Sequence, residues 1–213
     1  MSKVVVFGAA GRAGQRIVAE AAGRGHEVTA VVRRPETAPA FADGVAVVTG
    51  DATSAESVGA VAKDADGLVV AAGGPGREFY RTVAETLVGV AAALPQPAPR
   101  IVHLGGGATL TTPDGARFLD LPTFPAAYFE AASAQADALD FYRTSSGASW
   151  TYVSPPPLHF APGERTGTYR IGLDQPVAGP DGQARISYED LAVAIVDEIE
   201  DPKFLNTRFT AGY

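Results

Sequence analysis

Three glycines at three-residue spacing, Gly8, Gly11 and Gly14, close an apolar run from Lys3 to Phe7 and open a segment of helix formers. Each has a mechanical reason to lack a side chain. Gly8 permits a tight turn, Gly11 lets a ligand approach the backbone, and Gly14 lets the new helix pack closely. A diphosphate fits such a place, because the first N–H groups of a helix are unpaired and carry positive partial charge. With Ala10, Arg12 and Ala13 between the glycines, the turn reads as a dinucleotide-binding site. A second apolar run, Val28 to Val32, ends in Arg33 and Arg34 rather than in the acidic residue that would accept from a ribose 2′-hydroxyl. Two guanidinium groups suit a 2′-phosphate, so NADPH is expected in preference to NADH, with Arg12 reaching for the same phosphate.

Other residues fall where such a ligand would extend. Asp51, after a third apolar run, could accept from an adenine amino group beside Ala52, or could cap the helix that follows. Ala71, Ala72 and Gly73 end a fourth run, and their small size would let a ribose lie against the backbone. Proton exchange with a carbonyl is commonly the work of a tyrosine whose pKa is lowered by a lysine four residues on, and that pair is absent. The lysines are Lys3, Lys63 and Lys203; Tyr128 stands about where such a tyrosine is expected, but Ala132 holds the lysine's position. Hydride transfer to an acceptor that needs little acid catalysis, such as a flavin or quinone, remains open. His103 reads as a core residue of a strand and His26 as surface, while His159 and Phe160 lie in a Pro-rich segment placed to line a substrate pocket. No histidines or carboxylates have the spacing of metal ligands.

The elements that must position these groups are legible as alternating strands and helices. Strands are predicted at 3–7, 28–32, 45–48, 67–72, 100–104 and 149–153, with helices at 11–24, 54–63, 77–94, 126–145 and 188–200. Ser187, with Asp190 three residues on, predicts a variant of the capping box at the last helix. Such alternation predicts an α/β, Rossmann-type doubly wound fold, a mainly parallel sheet with helices on both faces, in one domain over 1–213. The segment 155–185, rich in Pro and Gly with one short strand at 168–171, is expected to form a substrate-side cap. The composition fits a globular interior, 46% hydrophobic with no apolar stretch long enough to span a membrane. A net charge of -7 argues against nucleic-acid or membrane surfaces as partners. Zero cysteines and a first strand with no signal segment before it suit a cytoplasmic protein.

Beyond the glycine turn, four stretches carry a resemblance: Asp120 to Pro125 (DLPTFP), Trp150 to Pro156 (WTYVSPP), Pro162 to Tyr169 (PGERTGTY) and Ile186 to Glu200 (ISYEDLAVAIVDEIE). Through them nearly the whole chain resembles the NADH-flavin reductase group of atypical, NmrA-like short-chain dehydrogenases, and more distantly the biliverdin reductase B type. The resemblance implies a Rossmann-type domain that binds NAD(P)H, with a reducible substrate over the nicotinamide. Relatives often carry a serine in the loop after the fifth strand, and Thr109 falls there. The expectation is an NADPH-dependent reductase, monomeric or homodimeric, whose small aromatic acceptor lies among Thr109, Tyr128, His159 and Phe160. The alternative is a redox sensor that binds NADP(H) without turnover.

Overall fold

The computed structural model describes residues 1–213. It comprises β1 (Lys3–Phe7), α1 (Arg12–Gly23), β2 (Glu27–Val32), β3 (Ala46–Thr49), α2 (Ala55–Ala62), β4 (Gly67–Val70), α3 (Glu78–Ala93), β5 (Arg100–Leu104), α4 (Ala126–Thr144), β6 (Trp150–Val153), β7 (His159–Ala161), β8 (Arg170–Gly172), β9 (Arg185–Ser187), α5 (Tyr188–Glu200) and β10 (Thr207–Gly212). Eight strands form one sheet in the order β3-β2-β1-β4-β5-β6-β10-β8, parallel throughout except for β8 against β10. Helices cover both faces, as expected of a Rossmann-like α/β fold. The connection from β1 runs to β2 on one side, and the chain later returns to place β4 on the other. This reversal opens a crevice at the carboxyl edge of the sheet between β1 and β4.

Burial explains the layers. Along β1, Val4 and Val6 join the core beneath α1 and α5, while Val5 and Phe7 join the core beneath α2, α3 and α4. Both faces of the strand are therefore apolar, which produces the continuous runs seen in the sequence. In α1 the buried positions are Gly14, Ile17, Val18 and Ala21, the three- and four-residue spacing of a helical stripe.

Three strands were not foreseen. β7 and β9 are three residues each and pair in a small parallel sheet, too short for any periodicity to show. β10 completes the main sheet against β6, although its buried residues include Arg208, a charge that does not announce a core strand. The fourth strand ends at Val70, leaving 71–76 free as a loop, and the short strand of the Pro-rich segment lies at Arg170–Gly172. At α5, Ser187 Oγ accepts from the Asp190 N–H at 2.9 Å, yet the Asp190 carboxylate does not reach back as in a capping box. It accepts instead from Thr166 Oγ1, the Gly167 N–H and Tyr213 Oη, which ties the Pro-rich segment and the C-terminus to the helix.

Candidate active site

The turn between β1 and α1 is built by contacts that exclude side chains. Gly8 has φ +75°, and a Cβ there would lie 2.6 Å from the Ala71 carbonyl oxygen and the Ala72 nitrogen. A Cβ on Gly14 would lie 2.1 Å from the Gly8 carbonyl oxygen, so the helix presses directly on the turn. The N-terminus of α1 is also chemically open: Gly11 supplies no side-chain cap, and the first turn holds no acidic residue. By contrast, α2 and α5 are each capped by a serine and carry acidic residues in the first turn. A bare helix N-terminus beside a glycine cradle is suited to an anion.

A cleft extends from this turn in two directions, with Ala71, Ala72 and Gly73 on the wall of both halves. One half is lined by Gly8, Ala10, Gly11, Arg33, Arg34, Asp51 and Ala52, together with Phe79 from the start of α3. Asp51 Oδ1 accepts from the Thr53 N–H and Thr53 Oγ1, both at 2.8 Å. These bonds, helped by nearby Arg33, hold its carboxyl below the usual range. Arg33 and Arg34 are exposed, and neither forms an ion pair. The other half lies beyond the ends of β4, β5 and β6, lined by Arg12, Ala13, Tyr80, Gln135, Phe160 and Tyr188, by Gly105 to Gly107 and by Pro155 to Leu158.

A family model of NAD(P)H-binding proteins matches residues 8–202. The chain belongs to this NAD(P)H-binding family. It is 34% identical to the uncharacterized Bacillus subtilis protein YwnB, with 98% of this chain and 97% of that one covered. A Bacteroides thetaiotaomicron protein provisionally named an epimerase superimposes with a TM-score of 0.90 at 33% identity, covering 100% of this chain and 97% of its own. A Streptococcus pneumoniae protein provisionally named an NADH-flavin reductase does so at 0.86 and 30%, covering 100% and 99%. The fold is thus oxidoreductase-like, and the family's ligand is a nicotinamide cofactor. No helix of this NAD(P)H-binding protein is long and apolar enough to cross a membrane.

Of the four residues expected around an acceptor, Phe160 alone lines the second half of the cleft, packed edge-on against Tyr188 at 4.1 Å. Thr109 is buried under the loop after β5, where its hydroxyl donates to the Gly106 carbonyl at 2.7 Å and its own carbonyl accepts from Arg208 at 2.6 Å. It holds the loop in place and does not reach the cleft. His159, on the opposite side of β7 from Phe160, meets Gln183 at 3.1 Å. Strand alternation sends adjacent side chains to opposite faces, so only one of this pair can turn inward. Tyr128 is exposed in the first turn of α4, outside the cleft. Arg12 lines this second half and not the half that holds Arg33 and Arg34, with its guanidinium 5.9 Å from the centre of the Tyr188 ring.

Sequence reasoning did not single out Tyr80, Gln135, Tyr188 or the role of Gly105, Gly106 and Gly107. A Cβ at those three glycines would lie 2.0 Å from the Tyr152 ring, 1.6 Å from Gln135 Oε1 and 2.3 Å from the Pro155 carbonyl oxygen. The glycine triplet itself was the available signal.

His103 is fully buried in β5, with Nδ1 3.0 Å from Tyr142 Oη and its ring stacked on Tyr152. Burial pushes its pKa down to about 3, so the imidazole is neutral in the folded protein. The unfolded chain takes up this proton below about pH 6.5 and the folded chain does not, so stability rises with pH across that window and falls on acidification. The expected loss from this one ring is about 2 kcal/mol between roughly pH 7 and pH 5. Urea unfolding at both pH values checks it: the change should be about 2 kcal/mol smaller in His103→Phe, which keeps a ring on Tyr152 but cannot protonate.

Proposed function

We propose that this protein is an NADPH-dependent reductase that passes hydride to a planar acceptor, a flavin or quinone, in the half of the cleft beyond Ala71 to Gly73. The glycine cradle and the open N-terminus of α1 support a diphosphate held by Gly8, Gly11 and Gly14, with Ala10 and Ala13 leaving room beside it. Arg33 and Arg34 would hold a 2′-phosphate, and Asp51 and Ala52 would border the adenine. Bound there, the reduced nicotinamide supplies the hydride. Tyr80, Phe160 and Tyr188 would flank the acceptor, and residues 155–160, the inner part of the proposed cap, would close one wall. Residues 1–213 would act as one domain, because β10, which completes the sheet, is the last element of the chain.

One observation carries this reading. The acceptor half is lined by small residues, prolines, Leu104, Leu158, Phe160, Gln135, Arg12 and the phenols of Tyr80 and Tyr188, with no His, Asp, Glu or Cys among them and no lysine to activate either tyrosine. Epimerisation and alcohol oxidation need a group that exchanges protons near neutrality, whereas hydride transfer to a flavin or quinone can rely on position and stacking. Steady-state NADPH oxidation with FMN, riboflavin and simple quinones tests it. Turnover is expected with at least one of them, and with riboflavin or a quinone kcat/KM should be flat from about pH 6 to about pH 8. Tight NADPH binding without turnover on any acceptor would sink the reductase in favour of a redox sensor.

A further inference from the structure

We infer that the acceptor end of the cleft selects a planar acceptor carrying an anionic group, a phosphate or another strong acid, and that Arg12 is the specificity-determining residue that pairs with it. The inference rests on the reductase reading and adds the acceptor's charge to it. The chain is acid-rich, with 24 acidic side chains against 17 Lys and Arg, so an arginine left without a carboxylate is unusual. Arg12, Arg33 and Arg34 are the arginines with neither a carboxylate nor a carbonyl partner for the guanidinium. Every other arginine forms an ion pair, except Arg170, whose guanidinium donates to the carbonyls of Ala178 and Tyr213.

All three unpaired arginines line the cleft, Arg33 and Arg34 at one end and Arg12 at the other. Glu189, next to Tyr188 on α5, makes no ion pair with Arg12. It is already committed to Arg16 Nε at 2.9 Å and to the Gly163 N–H at 2.8 Å. The Arg12 guanidinium instead rests over the Tyr188 ring, which is itself packed on Phe160. A cation held on an aromatic wall keeps its N–H donors free for a ligand. It is also the one charged side chain lining that half of the cleft. An acceptor whose ring lies among Phe160, Tyr188 and Tyr80 would present its anionic substituent to Arg12.

FMN and riboflavin differ by one phosphate, and naphthoquinone and its sulfonate differ by one sulfonate, so the two pairs isolate charge from ring. Their dissociation constants are measured on the NADP-saturated protein by ligand fluorescence or calorimetry, for the parent chain, Arg12→Ala and Arg12→Lys. The parent is expected to bind the anionic member of a pair about 10- to 30-fold more tightly, the scale of one charge-assisted hydrogen bond. Arg12→Ala should erase the difference by weakening the anionic member alone, Arg12→Lys should keep part of it, and NADPH affinity should change by less than about threefold. Raising the salt concentration should shrink the preference in the parent and not in Arg12→Ala. Equal affinity within both pairs, no binding of any of the four, or an Arg12→Ala that weakens NADPH instead would overturn the inference. Absence of NADPH oxidation with every acceptor would count against the reductase reading, while the binding preference would still report on Arg12.

Discussion

Replacing Arg33 with aspartate and Arg34 with alanine is expected to raise the NADPH dissociation constant at least a hundredfold and to leave that of NADH within about threefold. Both guanidinium groups lie at the end of β2 on the wall of the cleft half that contains Asp51, and neither is paired within the protein. A hydrogen bond to a charged group contributes about 1.5–3 kcal/mol, so losing two costs roughly 3 kcal/mol or more, about two orders of magnitude in affinity. The new carboxylate adds repulsion against a phosphate, which makes that figure a floor. NADH has no 2′-phosphate for these residues to hold, so the two cofactors should separate cleanly. Titration of nicotinamide fluorescence with each cofactor measures the ratio. Equal weakening of both would mean that the arginines act on something other than the 2′-phosphate.

Gly14→Ala is expected to weaken NADPH and NADH alike, by about a hundredfold or more. The added methyl group would stand 2.1 Å from the Gly8 carbonyl oxygen and 3.0 Å from the Ala9 Cα, both backbone atoms. Neither can rotate away, so α1 must move off the turn, and the cradle at Gly8 opens. Overpacking of this kind typically costs about 1–3 kcal/mol of stability as well, which a urea titration would register. Gly59→Ala is the control: Gly59 lies inside α2, and a methyl group added there would meet nothing within 4 Å. That substitution should stabilise the protein by about 0.5–1 kcal/mol through helix propensity and leave cofactor binding intact.

Three strands of the first half, β1, β2 and β4, were legible because they are largely buried on both faces and therefore written as mainly apolar runs, whereas the edge strand β3 is mostly exposed. Val4 to Phe7, Val28 to Val32 and Leu68 to Val70 all show this. The glycine turn was legible for a related reason: at Gly8 and Gly14 close backbone contacts leave glycine as the residue that fits. β10 was not legible, since its place beside β6 depends on long-range pairing and its buried Arg208 is accommodated by partners far away in sequence, Thr109 and Asp174.

Side-chain direction was harder to read than element position. His159 and Phe160 are neighbours in sequence, and a single step along β7 decides which of them faces the cleft. Thr109 lies in the expected loop, but a turn at 107–109 folds its hydroxyl inward on Gly106. Arg12 stands beside the glycines, which suggested the 2′-phosphate; as the first residue of α1 it leans instead toward Tyr188 at the start of α5, a contact between elements nearly the whole chain apart.

Direct hydride transfer from the nicotinamide to a planar acceptor, in a half-cleft lined by no His, Asp, Glu, Lys or Cys, is decided by an anaerobic single-turnover experiment. Protein loaded with one equivalent of NADPH is mixed with riboflavin or a quinone, and the nicotinamide and acceptor absorbances are followed together. Both signals are expected to fall with the same rate constant and in equal amounts, with no dependence of that rate on pH near neutrality. Bound NADPH that stays reduced in the presence of every acceptor would contradict it.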